Sequence, residues 1–211
     1  MEIVWLGHSC FRIRGKEATI VTDPFDKTLG YPVKKPTASI VTVSHQHPQH
    51  SYLGGVAGNP RVISRPGEYE IANVFINGIA TFHDAEMGEQ RGKNTVYLMQ
   101  IEEVSICHLG DLGHVPTAEQ IEQMSDADIL MVPVGGGATI GATAAVETIS
   151  LLQPKLVIPM HFKTEVVKME LAPLEPFLKE MGVKEFVPQP KLSVTKASLP
   201  IETSVVVLDY H

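Results

Sequence analysis

Three histidines fall within six residues in the stretch SHQHPQHSY, at His45, His47 and His50. Imidazole binds zinc and related borderline metals as the neutral ring. The apolar run SIVTV ends just before them, and alternate residues of an extended segment point the same way. His45 and His47 can therefore converge on one ion. Pro48 breaks the extension and turns His50 towards a second position nearby. The spacers are Gln46 and Gln49, so the loop itself carries no acid. The plain alternative is a set of solvated loop histidines, and three of the chain's nine in so short a window argue against it.

One loop does not complete a site, because catalytic metal centres draw further ligands from other strand ends. His83 follows IATF, Asp111 follows SICHLG and His161 follows LVIPM, each where an apolar strand stops. Other candidates read differently. Ser9 beside His8 is the nearest pair to a serine nucleophile and its base, but GHSC lacks the G-x-S-x-G elbow. His108 lies inside a strand and reads as a core histidine, His114 as a solvated loop residue, and His211 as a disordered terminus. The stretch VGGGATIGATAA lacks both the dinucleotide and the P-loop patterns. It reads as a loop that lets backbone approach the site, with Gly and Thr available to an anionic substrate. The polar stretch 84–95, DAEMGEQRGKNT, reads as a mobile lid that turns Arg91 and Lys93 towards substrate.

The elements that must position these residues are mostly strands. EIVWL, CFRIR, ATIVTD, SIVTVS and RVIS are short β-branched or alternating runs separated by turn residues. VFINGIATFH follows, and NTVYLMQIEEVSICHLGD reads as two strands around Glu102-Glu103. In the second half Thr117 with Gln120 has capping-box spacing and starts a helix. TAAVETISLLQ is helical and stops before Pro154, and LAPLEPFLKEMG is a helix ending at Gly182. ADILMVPV and KLVIPM are apolar throughout, as strands covered on both faces are. TSVVVLD closes the chain as a last strand. The pattern predicts sheet packed on sheet with helices outside.

Composition bounds the rest. The 211 residues suit one domain spanning 1–211, and 44% hydrophobic with 19% charged residues is a globular balance. A net charge of −7, without a basic cluster, argues against nucleic acid. Two cysteines, Cys10 and Cys107, read as reduced thiols. The N-terminus does not resemble a signal peptide and no run reaches membrane-helix length, so a cytoplasmic protein with no membrane partner is expected. A homo-oligomer is compatible with the sequence.

The motifs HQHPQH, His83, GD at 110–111 and PMH at 159–161 resemble the ordered metal motifs of the metallo-β-lactamase superfamily. WLGHSCFRI, IVTDPF, DILMVPVGGGATIGATAAVE and KLVIPMHFKT resemble, within it, the branch holding ascorbate-phosphate lactonase and N-acylphosphatidylethanolamine phospholipase D. The likeness runs from Trp5 to about Thr164. It implies an α+β fold, a four-layer αββα sandwich with its metals at one edge of the two sheets. It implies that His45, His47 and His83 hold one ion. Asp111 would bridge to a second ion, which His50 and His161 would also hold. Asp111 and His50 are then the candidates for direct action on the reacting groups. Asp23, Gln49 and His8 are expected around the ligands instead of among them.

The chain departs from the family pattern H-x-H-x-D-H at Gln49, where an aspartate would hold the second ion. A unit charge at ~2–4 Å is worth several kcal/mol at an effective dielectric near 20, so the second position loses affinity. Gln49 also cannot pass a proton to a leaving group. The expectation is one tight ion and a second that is weak or absent. Zinc suits the donor set, with Mn or Fe as alternatives. The chemistry implied is metal-assisted hydrolysis of a small-molecule lactone, ester, amide or phosphodiester. The rival reading is a non-catalytic metal-binding or ligand-sensing module, which Gln49 favours. A nuclease of the same superfamily would need more basic surface.

Overall fold

Alternation organises the first sheet. In the computed structural model, which describes residues 1–210, Ile3 and Trp5 of β1 (Glu2–Gly7) face one core while Val4 and Leu6 face another. The same split separates Ile20 from Val21 in β3 (Thr19–Thr22) and Ile40 from Val41 in β4 (Ile40–Thr42). A period of two with both faces apolar means a strand covered on both sides. With β2 (Cys10–Arg14), β5 (Arg61–Ile63) and β12 (Leu192–Ser193) these strands form a six-stranded sheet in the order β12-β1-β2-β3-β4-β5.

The second sheet has seven strands in the order β13-β11-β10-β9-β8-β7-β6. They are β6 (Gly67–Ile71), β7 (Val74–Phe82), β8 (Lys93–Ile101), β9 (Val104–His108), β10 (Ile129–Pro133), β11 (Leu156–Met160) and β13 (Ser204–Val205). β10 and β11 are buried at every residue, as their unbroken apolar runs predict. The main core lies between the sheets, where Phe11, Ile13 and Ile40 meet Ile76, Tyr97 and Met99.

Direction matters more than order. β1 and β3 are each antiparallel to β2, and β4 is parallel to β3, so β1, β3 and β4 run the same way. In the other sheet β7, β9, β10 and β11 are likewise co-directional. The residues singled out in the sequence follow the C-terminal ends of these strands. Sheet-on-sheet packing therefore gathers their loops along one edge.

The helices belong to the second half. α1 (Ala118–Met124) opens on the expected box, with Thr117 Oγ1 accepting from Gln120 N and Gln120 Oε1 accepting from Thr117 N. α2 (Ala142–Leu152) buries Ala145, Thr148, Ile149 and Leu152 and packs on β10 and α3 (Glu175–Glu180). The sandwich is the one expected. Its first sheet is covered on the outside by 3₁₀ turns at Lys27–Leu29 and Leu53–Gly55 and by the segment around Val167, not by a helix.

Several boundaries differ from the sequence reading. α3 is shorter than LAPLEPFLKEMG, because Pro173 restricts the residue before it, and the helix begins after Leu174 with Pro176 in its first turn. The final strand keeps regular pairing only at Ser204–Val205, with isolated bridges at Leu208 and Tyr210 beyond it. β6, GEYEI, escaped notice because Gly and Glu are poor strand formers and it lies at the sheet edge. His211, read as a disordered terminus, lies outside the described residues.

The stretch read as a mobile lid is tied down. The Asp84 carboxylate accepts from the backbone N–H groups of Glu86, Gly88, Gln90 and Arg91 at 2.9, 2.8, 3.2 and 2.7 Å. Four donors on one carboxylate make a compact turn, and Lys93 already belongs to β8. No helix among the described residues is long and apolar enough to cross a membrane.

Candidate metal centre

The Asp111 carboxylate is the hub of the edge. Its Oδ2 lies 3.2 Å from His50 Nε2, 3.4 Å from His83 Nε2, 3.5 Å from His161 Nε2 and 4.0 Å from His45 Nε2. Four strand ends supply these five side chains. Asp111 is held by its backbone N–H, which donates to Asn94 Oδ1 at 3.0 Å. Asn94 in turn donates to Thr81 Oγ1 and Leu109 O. Gly110, at φ +57°, brings this turn so close to Ser44 and Asn94 that a Cβ there would lie 2.5 and 2.6 Å from them.

Behind the histidines Asp23 accepts from Ser44 N at 2.7 Å, Ser44 Oγ at 2.5 Å and His50 Nδ1 at 3.0 Å. With Ser44 Oγ donating to Asp23, it accepts from His45 Nδ1 at 3.0 Å. The network thus assigns the proton of both rings to Nδ1 and leaves Nε2 as the electron-pair donor facing the edge. Carboxylate-backed histidines of this kind are the usual support of a metal ligand. Neither Ser44 nor Asn94 stood out in the sequence. A serine at the end of a strand and an asparagine inside one carry no local signal of such a role.

The remaining residues fall into place unevenly. His161 and His50 are buried, while His47 lies exposed on the outer side of its loop, its Nδ1 accepting from Gln49 N at 3.3 Å. Three groups of nitrogen and carboxylate atoms lie within 4.8 Å of one another: His45, His83 and Asp111; His45, His47 and His50; and His8, His50 and His161. His47 therefore groups with His45 and His50, not with His83 as expected. A turn follows at Pro48, where His50 N and Ser51 N both donate to His47 O, and the His47 side chain is exposed. Gln49 is half-buried beside it.

His8 lies beside the ligand candidates, as expected. It is buried, and its Nε2 lies 3.2 Å from His50 Nε2. Ser9 is wholly buried in the same turn, with its carbonyl accepting from Thr22 Oγ1 and His108 Nε2, so it serves structure and His108 is the core histidine expected. His114 is held, not solvated: Nδ1 donates to Val115 O and Nε2 accepts from Phe82 N. In the Gly-rich loop Gly135 N donates to His161 O at 3.0 Å, and a Cβ on Gly135 would lie 2.1 Å from that oxygen. Glycine there is what lets the loop reach the edge.

The electrostatics are those of a site built for positive charge. Burial favours the neutral carboxyl of Asp111, but His50 and His161 hold it well below the ordinary range. Burial pulls the His50 ring down, and Asp111 with Asp23 outweighs it to hold the ring at about 10. Burial and the neighbouring His50 push His45 down to about 4. Buried Nδ1 of His83, both ring nitrogens of His161 and Oδ1 of Asp111 have no hydrogen-bond partner among the described residues. Unpaired buried polar atoms are costly, and a divalent cation coordinated by imidazole and carboxylate would satisfy His161 Nε2 and the Asp111 carboxylate, taking one nitrogen per ring. The residues fit a metal.

Three of the nine non-glycine residues with positive φ among the described residues lie at the same place. His8, Asp23 and His161 adopt φ of +54°, +39° and +52°. Such conformations in non-glycine residues cost ~1–3 kcal/mol each and gather where function needs them.

Residues 2–161 match the model of the beta-lactamase superfamily domain, so the chain belongs to the metallo-β-lactamase superfamily. Within it, a UPF0173 metal-dependent hydrolase of Pelotomaculum thermopropionicum is 32% identical, over 78% of this chain and 85% of that protein. A second, from Thermoplasma volcanium, is 28% identical over 90% of this chain and 96% of that one. A crystal structure from Thermotoga maritima, described as a candidate zinc-dependent hydrolase of the superfamily, superposes with a TM-score of 0.83. It is 42% identical and covers 100% of this chain, with 99% of its own length matched.

Proposed function

We propose that this metallo-β-lactamase-fold hydrolase cleaves a lactone, ester, amide or phosphodiester in a small molecule, acting as one unit over residues 1–211. The observation that carries the reading is the convergence of four imidazole Nε2 atoms on Asp111 Oδ2, all within 4.0 Å. The tighter ion, assigned as zinc with Mn or Fe as alternatives, takes His45, His83 and Asp111, and His47 turns in from the loop surface to join them. His50 and His161 serve the second position. That position is weaker, because Gln49 contributes no charge where the superfamily pattern has an aspartate.

When bound, the metal supplies a Lewis acid that makes water nucleophilic near neutral pH and polarises the scissile bond. The chain's own residues do the rest. Asp23 and Ser44 keep the His45 and His50 rings oriented, and burial of His50, His161 and Asp111 closes the back of the site to solvent. His47, at the exposed mouth, lies on the side from which substrate arrives. Two buried free thiols suit the reducing cytoplasm.

Turnover on a panel of simple lactones and bis-(p-nitrophenyl) phosphate, with His83→Ala as control, tests the reading. Metal-dependent turnover that disappears in the control supports a hydrolase. Zinc binding without turnover on any substrate class would favour the non-catalytic module instead.

A further inference from the structure

The buried side of the centre offers one more imidazole than the superfamily pattern uses. His8 is 1% exposed, and its ring centroid lies 4.1 Å from that of His161 and 4.9 Å from that of His50. Ligand nitrogens of His8, His50 and His161 all lie within 4.8 Å of one another. Two ligand atoms on one tetrahedral zinc sit about 3.3 Å apart, given Zn–N bonds of about 2.0–2.1 Å. The His8–His50 nitrogen pair is at 3.2 Å, and Asp111 Oδ2 is at 3.2 Å from His50 Nε2 and 3.5 Å from His161 Nε2. Those spacings would suit the edges of one coordination polyhedron.

Two further observations aim His8 at a ligand. Both nitrogens of the neighbouring His161 are buried without a hydrogen-bond partner among the described residues, and the partner of His8 Nε2 there is another ring nitrogen, His50 Nε2. Its backbone is held at φ +54° by a carbonyl that accepts from Trp5 Nε1 at 2.9 Å and from His161 N at 3.2 Å. A side chain at Gly7 would meet the Tyr31 ring at 2.5 Å, so the turn carrying His8 is built around glycine there. The left-handed conformation at His8 is thus held from several directions.

We propose that His8 is a ligand of the second ion, taking the place of the carboxylate that Gln49 does not supply. This rests on the metal-centre reading above. The second position is then made of His8, His50 and His161 with Asp111 shared between the two ions. A neutral ring in place of a carboxylate leaves the site one negative charge poorer. It holds its ion less tightly than the first site and prefers borderline metals such as zinc or cobalt over hard ions such as magnesium.

The test uses the full chain, stripped of metal and titrated with zinc alone, the bound metal being counted by elemental analysis and calorimetry. His8→Asn tolerates the left-handed backbone but is too short to reach. His8→Ala leaves room for free imidazole. Wild type is expected to bind two ions, and His8→Asn to keep the first at unchanged affinity and weaken the second. A loss of more than about a hundredfold exceeds what removal of a supporting hydrogen-bond partner costs. Free imidazole should restore the second ion in His8→Ala, and cobalt loading should change the visible spectrum of the second equivalent only. Retention of the first ion in the variants shows that they fold. A second ion bound by His8→Asn within about a hundredfold of wild type would make His8 a hydrogen-bonding neighbour of His50, and overturn the proposal. So would wild type saturating at one ion. Wild type binding no zinc would instead overturn the metal-centre reading itself.

Discussion

Asp111→Asn removes one charge from the middle of the site while keeping the shape of the side chain. In the native chain Asp111 Oδ2 faces four imidazole nitrogens at 3.2 to 4.0 Å, so any ion held by those rings lies within ~4 Å of the carboxylate. Each unit of charge on an ion about 4 Å away interacts with the carboxylate by about 4 kcal/mol at an effective dielectric of about 20, so about a thousandfold in affinity is a lower bound for a divalent ion. The zinc affinity of Asp111→Asn should therefore fall by at least about three orders of magnitude, measured by competition with a chromophoric chelator at fixed pH. A second readout comes from the metal-free protein. His50 titrates at about 10 against the pull of burial, with Asp111 the strongest upward influence, so its ring should titrate at lower pH in the variant by NMR. A loss of affinity below about tenfold, with His50 unmoved, would place Asp111 outside the coordination sphere and refute the reasoning.

Gln49→Asp should strengthen the second position by about ten- to a thousandfold, read from zinc retained after dialysis; unchanged stoichiometry would mean that side chain 49 does not face the site. Burial raises the thiols of Cys10 and Cys107, so neither should react with Ellman's reagent near pH 8 until the chain unfolds. Burial works against the charge of Asp23, yet His50, His108 and Ser44 hold it below its ordinary 3.8. Its contribution to metal-free stability is thus complete above about pH 4 and lost as pH falls through the lowered native value. Thermal melts of Asp23→Asn against pH should lack that acid-side decline.

Much of the centre was visible in the chain because its ligands sit where apolar runs stop. His45, His83, Asp111 and His161 all follow strands whose burial is written in their sequence, and co-directional strands bring such ends together. What the sequence hid depends on backbone conformation and distant partners. His8 turns inward only because Gly7 and a left-handed residue 8 fold the β1–β2 turn back over His161. Ser44 acts through Asp23, 21 positions away, and Asn94 through Asp111, 17 away. The polar stretch after His83 looked mobile because one carboxylate collecting four backbone donors has no periodic signature.

The most direct test of the central claim is a zinc titration of the metal-stripped protein, followed continuously for turnover on the best substrate of the panel. Turnover should be absent at the start, appear with the first equivalent of zinc, and remain absent throughout in His83→Ala. Turnover in the stripped protein, or a zinc-loaded His83→Ala as active as wild type, would contradict a hydrolase built on this edge.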